Sequence, residues 1–155
     1  MNHEFWMNEA LIEAQNAAAL GEVPIGAVLV HEGVIIARAH NTREHSGDPL
    51  DHAEVRVLKE ASHQLKNWRL TDCILYVTLE PCLMCLGALL QARVGQLVFG
   101  CSDQKRQGSN QTAIIPQSLQ DVAELHANNH TLKITGGVLA SESSSLLKSF
   151  FKERR

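Results

Sequence analysis

Four residues in two short segments carry the chemistry of this sequence: His52 and Glu54 in His52-Ala53-Glu54, and Cys82 and Cys85 in Pro81-Cys82-Leu83-Met84-Cys85. One imidazole and two thiolates make three zinc ligands, and a catalytic zinc site uses three protein ligands and keeps its fourth position for water. The count leaves Glu54 uncoordinated. Zinc lowers the pKa of bound water from ~15.7 to about 7, so hydroxide is available at neutral pH. A carboxylate beside it can take the proton from that water and return it to a leaving group. This pairing suits hydrolysis at an electron-poor carbon that carries an amino group.

Each piece also has a plainer reading. A Cys-x-x-Cys pair alone fits a redox dithiol or half of a structural zinc site. Asp51-His52-Ala53-Glu54 has the form of a capping box, with Glu54 serving the helix start only. His52 alone fits a partly buried first-turn residue. None of these predicts His-x-Glu followed at this distance by Pro-Cys-x-x-Cys, which is the signature of zinc-dependent base deaminases.

The surrounding elements must bring these side chains together. Cys82 and Cys85 are three apart, so on a first helical turn they share a face. Pro81 suits the first position of a helix running to about Ala92. His52 and Glu54 are two apart and would diverge on a regular helix, but side chains tilt towards the N-terminus and can converge at the mouth. Asp48-Pro49 and Asp51 start that helix, and Ala53, Val57, Leu58 and Ala61 carry it to about Leu65. Two helix N-termini are therefore expected at one zinc, where their dipoles favour thiolates and hydroxide.

Along the rest of the chain, Met7, Leu11, Ala14 and Ala18 mark an amphipathic helix from about Glu4 to Leu20, stopped by Gly21. Pro24 to Val30 and Val34 to Ala39 form a hairpin around His31-Glu32-Gly33. Asn41 to Asp48 reads as a loop. Cys73 to Leu79, Gln96 to Cys101 and Thr131 to Thr135 are strands, with a polar loop through Asn110 and Gln111 and a short helix from Leu119 to His126. The Gly136-Gly137 turn precedes a last helix, Leu139 to Lys152. Strands alternating with helices predict a layered α/β domain with helices on both faces of one sheet.

The 155 residues fit one domain, residues 1–155, and 45% apolar with 20% charged residues is the composition of a globular protein. No apolar run approaches the roughly 18 residues of a membrane span. Met1-Asn2-His3-Glu4 lacks a basic n-region, so a cytoplasmic protein without membrane association is expected. Thiols stay reduced there, and Cys73 and Cys101 read as core residues. The net charge of −3 is not the footprint of a nucleic-acid binder as a whole. A local basic patch remains at Lys148, Lys152, Arg154 and Arg155 beside Phe150 and Phe151, with Lys105 and Arg106 a smaller group; composition alone reads the former as a solvated helix end.

Beyond the two motifs, Glu22-Val23-Pro24-Ile25-Gly26-Ala27-Val28, Asp48-Pro49, Asn67-Trp68-Arg69-Leu70, Leu75 through Cys85, Phe99-Gly100 with Asp103, and Phe150 to Arg155 closely resemble the TadA family of bacterial tRNA adenosine deaminases. The resemblance covers nearly the whole chain. It implies a three-layer α/β/α sandwich with one central mixed sheet of about five strands, the cytidine deaminase-like fold. It implies hydrolysis of adenosine to inosine at the wobble position of a tRNA anticodon, with one zinc ion per subunit on His52, Cys82 and Cys85, and Glu54 as proton shuttle. Asn41 and Asp103 correspond to residues at the base and on the nucleic-acid side of the site. Phe150, Phe151, Lys152, Arg154 and Arg155 lie where the family holds its RNA, which reverses the reading from composition. A homodimer is implied as well, with the anticodon stem-loop contacting both subunits.

The chain departs from the family at Leu50-Asp51, where a Thr-Ala pair is common, and from Lys105 to Pro116, where Arg106-Gln107-Gly108-Ser109-Asn110-Gln111 replaces a small, glycine-rich run. Two alternatives therefore stand: a zinc-dependent deaminase of a free base or nucleoside, of the guanine or cytosine type, and a noncatalytic zinc-stabilised binding module.

Overall fold

The computed structural model describes residues 2–103, 121, 124 and 130–154. In chain order these form α1 (His3–Ala19), β1 (Gly26–His31), β2 (Val34–His40), α2 (Arg43–Ser46), α3 (Ala53–Leu65), β3 (Cys73–Leu79), α4 (Leu83–Gln91), β4 (Gln96–Cys101), β5 (Lys133–Thr135) and α5 (Ala140–Glu153). The expected polar loop through Asn110 and Gln111, the segment Lys105 to Pro116 and Arg155 lie outside the described residues. So does the helix expected from Leu119 to His126, apart from Asp121 and Glu124, both helical.

The five strands make one mixed sheet in the order β2-β1-β3-β4-β5. β1 is antiparallel to both neighbours, while β3 and β4, and β4 and β5, are parallel. It follows that β1 alone runs against the other four. The carboxyl ends of β2, β3 and β4 therefore share one edge of the sheet, where open α/β sheets place their ligands.

Strand alternation sends side chains to both faces, and helices cover both. Ala27, Leu29, Leu75, Val77, Leu97 and Phe99 pack with Val57 of α3 and Leu86 and Leu89 of α4. Val28, Val30, Tyr76 and Val98 pack with Met7 and Ala10 of α1 on the other face, joined by Val138 and Leu139 at the start of α5. The expected three-layer sandwich is thus present. Two glycines set how closely the second layer lies. A Cβ at Gly26 would meet the backbone of Ala10 and Ala14, and one at Gly100 would meet the Ser143 hydroxyl and the Thr78 carbonyl.

Several local expectations shift. The hairpin turns on two residues, Glu32 and Gly33, both with positive φ, between the paired His31 and Val34; that is the twist which strands joined by two residues prefer. The expected loop from Asn41 contains α2. The last strand starts at Lys133 rather than Thr131. Pro81 does not open α4: Cys82 is still extended, so it becomes the N-cap and Pro81 stands one residue outside it. Cys73 and Cys101 are buried free thiols, as expected of core residues.

Candidate active site

His52 and Cys82 occupy equivalent places, each the extended N-cap of its helix (φ −72°, ψ 152° and φ −72°, ψ 172°), and neither side chain caps its own helix. Their ligand atoms are left for another partner. Cys85 follows at the third helical position of α4, the spacing that brings an N-cap and an N3 side chain together. The Nδ1 atom of His52 lies 3.6 Å from Sγ of Cys82 and 3.5 Å from Sγ of Cys85. With Zn–S near 2.3 Å and Zn–N near 2.05 Å, the N···S edge of a tetrahedron is about 3.6 Å. The donor set therefore fits zinc in both chemistry and spacing, and among the described residues it is the group of three that could hold a metal ion.

The two thiols are not equivalent. A hydrogen bond from Cys85 draws the Cys82 thiol down to about 5. Cys85 keeps the proton, pushed far up by that shared hydrogen bond, by burial and by the Glu54 charge. Metal binding to such a pair releases the proton.

Glu54 is the second residue of α3, 4% exposed, with its carboxyl in contact with Cys85. Burial pushes that carboxyl up, against its own backbone N–H and the Cys85 thiol, which pull it down. The direction is the one a proton carrier near neutral pH needs. The capping-box alternative fails on position, because with His52 as N-cap the N3 residue is Val55. Asp51 does not cap α3 either; its Oδ2 accepts the Thr42 hydroxyl at 3.4 Å.

Asn41 directly follows β2 and is buried. Its N–H donates to the Ile25 carbonyl at 3.0 Å, and its Oδ1 accepts the Arg43 N–H at 3.2 Å. A backbone N–H needs an acceptor, so this bond fixes which end of the amide is which. The oxygen is committed, and the NH2 group has no partner among the described residues. The loop closes Asn41 onto α3: the Thr42 N–H donates to the Asp51 carbonyl at 3.1 Å, and Arg56 of α3 donates to the His40 carbonyl at 2.7 Å.

One residue of this assembly had no signal in the sequence beyond lying in a resembling segment. Glu22 is fully buried and accepts the N–H groups of Glu44 at 3.1 Å and His45 at 2.7 Å, with the His45 ring at 2.8 Å. Burial would push its carboxyl up, but these hydrogen bonds outweigh it and hold the group below its ordinary value. No spacing rule links position 22 to positions 44 and 45, because the partners are mostly backbone.

Asp103 follows β4, and its N–H donates to Oε1 of Glu80 at 3.3 Å. It borders a cleft of about 1450 Å³ between the carboxyl ends of β3 and β4 and the helix α5, lined also by Val23, Leu79, Lys148, Phe151 and Arg154. Phe151, Lys152 and Arg154 are exposed. Phe150 is buried, with the Arg154 guanidinium 4.1 Å over its ring.

The chain matches the MafB19-like deaminase family over residues 1–155. It is 45% identical over 152 residues to the tRNA-specific adenosine deaminase of Bacillus subtilis strain 168, covering 98% of this chain and 90% of that protein. A solved structure from studies of A-to-I editing by tRNA deaminases at the wobble position superposes with a TM-score of 0.79 and 36% identity, covering 92% of this chain and 99% of the other. The guanine deaminase of Bacillus subtilis superposes with a TM-score of 0.64 and 40% identity, over 67% of each chain.

Proposed function

The chain belongs to the MafB19-like deaminases and, among them, to the tRNA-specific adenosine deaminases, and we propose that it hydrolyses adenosine to inosine at the wobble position of a tRNA anticodon. The observation that carries the substrate is the similarity to the Bacillus subtilis tRNA enzyme over 98% of the chain. The similarity to guanine deaminase, over 67%, supports the rival reading of a free purine base as substrate.

His52, Cys82 and Cys85 would hold the zinc, one ion per subunit. Bound there, zinc supplies a Lewis acid that makes water nucleophilic near neutral pH. Glu54 accepts the proton of the water that adds to C6 and passes it to the departing amino group, so that ammonia leaves and the ring keeps the oxygen. A carboxylate buried beside Cys85 without a ligand's task is what a noncatalytic zinc module would not carry. Asn41 presents its NH2 group to the flipped base. An anticodon loop is already single-stranded, which lowers the cost of extruding that base.

Asp103, Phe151, Lys152 and Arg154 face the anticodon stem-loop, and Phe150 supports the Arg154 guanidinium from beneath. The protein acts as a homodimer in the cytoplasm; among the described residues no helix is long and apolar enough to cross a membrane. Light scattering of the purified protein tests the dimer. The substrate is tested by initial rates on an anticodon stem-loop with a wobble adenosine against adenosine, cytidine and guanine. Turnover of the stem-loop is expected; turnover of guanine alone makes the rival reading correct. Cys85→Ser should lower bound zinc, and an unchanged zinc content would mean that the ligand set is wrong.

A further inference from the structure

We infer that Glu22 is a positioning residue for substrate binding that acts through Asn41. The inference rests on the reading of Asn41 as the group that holds the base.

Glu22 touches none of the zinc ligands in any hydrogen bond of the described residues, yet it is a carboxylate with no exposure at all. Such a group stays in a fold only when its hydrogen bonds replace the lost water. Its partners are all at one place, the second and third residues of α2. The first residue of α2, Arg43, donates instead to Oδ1 of Asn41. The three free N–H groups that open this four-residue helix are therefore held by two side chains only, Glu22 and Asn41. Thr42, the N-cap residue, makes no cap bond; its hydroxyl goes to Asp51.

A helix of four residues does not hold itself, since its opening turn fixes several dihedrals for one hydrogen bond. Glu22 supplies what is missing. With the turn held, the Arg43 N–H stays in place and keeps the Asn41 oxygen occupied, so that the amide offers only its NH2 group to a ligand. Without it the turn is released, and the Asn41 amide is free to rotate between two orientations, one of which presents the wrong end.

The test uses zinc-loaded protein and a stem-loop with a wobble adenosine, with KM and kcat read for Glu22→Gln, Asn41→Ala, the double variant and His45→Ala. Glu22→Gln keeps the shape but turns an NH2 group towards one of the two backbone N–H donors, which bond to different oxygens of the carboxylate. It should raise KM about tenfold with kcat within about threefold, zinc content unchanged. In the Asn41→Ala background the same change should add less than about twofold, because the two residues act as one unit. His45→Ala alters a half-exposed ring and spares the backbone bonds, so it reports even if Glu22→Gln does not fold. It should raise KM about two- to fivefold, and again add nothing once Asn41 is alanine. Wild-type KM in both variants overturns the inference, and so do equal losses with and without Asn41, which would mark a general structural role. Asn41→Ala with wild-type KM removes the base-binding reading and the inference with it; weakened binding in Asn41→Ala with normal Glu22→Gln and His45→Ala removes the inference alone.

Discussion

Glu54 and Glu22 are both buried carboxylates, and their surroundings push them in opposite directions. Glu54 is raised by burial, which suits a group that must take up a proton and give it back. The account therefore expects Glu54→Ala to keep its zinc and lose about a hundredfold or more in kcat on the stem-loop; full activity with zinc retained would remove the proton-carrying role. Glu22 is held below 4.5, so the unfolded chain takes its proton first. Its contribution to stability is complete above that value and is lost as the pH falls through the lower folded value. Denaturant unfolding of wild type and Glu22→Gln should then differ most near neutral pH and converge below pH 4.5; a constant difference would contradict the assignment. The His52, Cys82 and Cys85 group was legible in the sequence because ligand spacing is a local property. Glu22 was not, because a carboxylate that serves backbone N–H groups leaves no pattern of residue types.

The elements make the site by how they begin. His52 and Cys82 are N-caps that do not cap, so two helices start at the His52, Cys82 and Cys85 group with their first N–H groups and positive dipole ends towards it. The meeting of two helix mouths was readable from His-x-Glu and Pro-Cys-x-x-Cys; the exact first residues were not, since Pro81 fits both N1 and the position outside the cap. α2 was missed because four residues show no periodicity and Thr42 makes no cap bond. The layer on the far face depends on Gly26, where α1 lies so close that a Cβ would collide with the Ala10 carbonyl and the Ala14 nitrogen. Gly26→Ala should destabilise the fold by about 1–3 kcal/mol or more, measured as a fall in Tm, and an unchanged Tm would mean that α1 moves away at no cost.

At the scale of the molecule, the site exists because β2, β3 and β4 point the same way and end on one edge. Asn41, the Pro81 to Cys85 turn and Asp103 are carried there by three different strands. Composition and alternation gave the α/β class and a count of five strands, but strand order and direction are set by long-range pairing that no local pattern encodes. The same edge opens into the cleft that ends at α5, whose exposed Phe151, Lys152 and Arg154 give a protein of net charge −3 a local surface for a polyanion. The most direct test of the account uses a whole tRNA with a wobble adenosine, so that every other adenosine in the molecule is an internal control. After incubation with the zinc-loaded protein, nuclease mapping should find inosine at the wobble position alone. Absence of inosine there, with free guanine converted under the same conditions, would contradict the account.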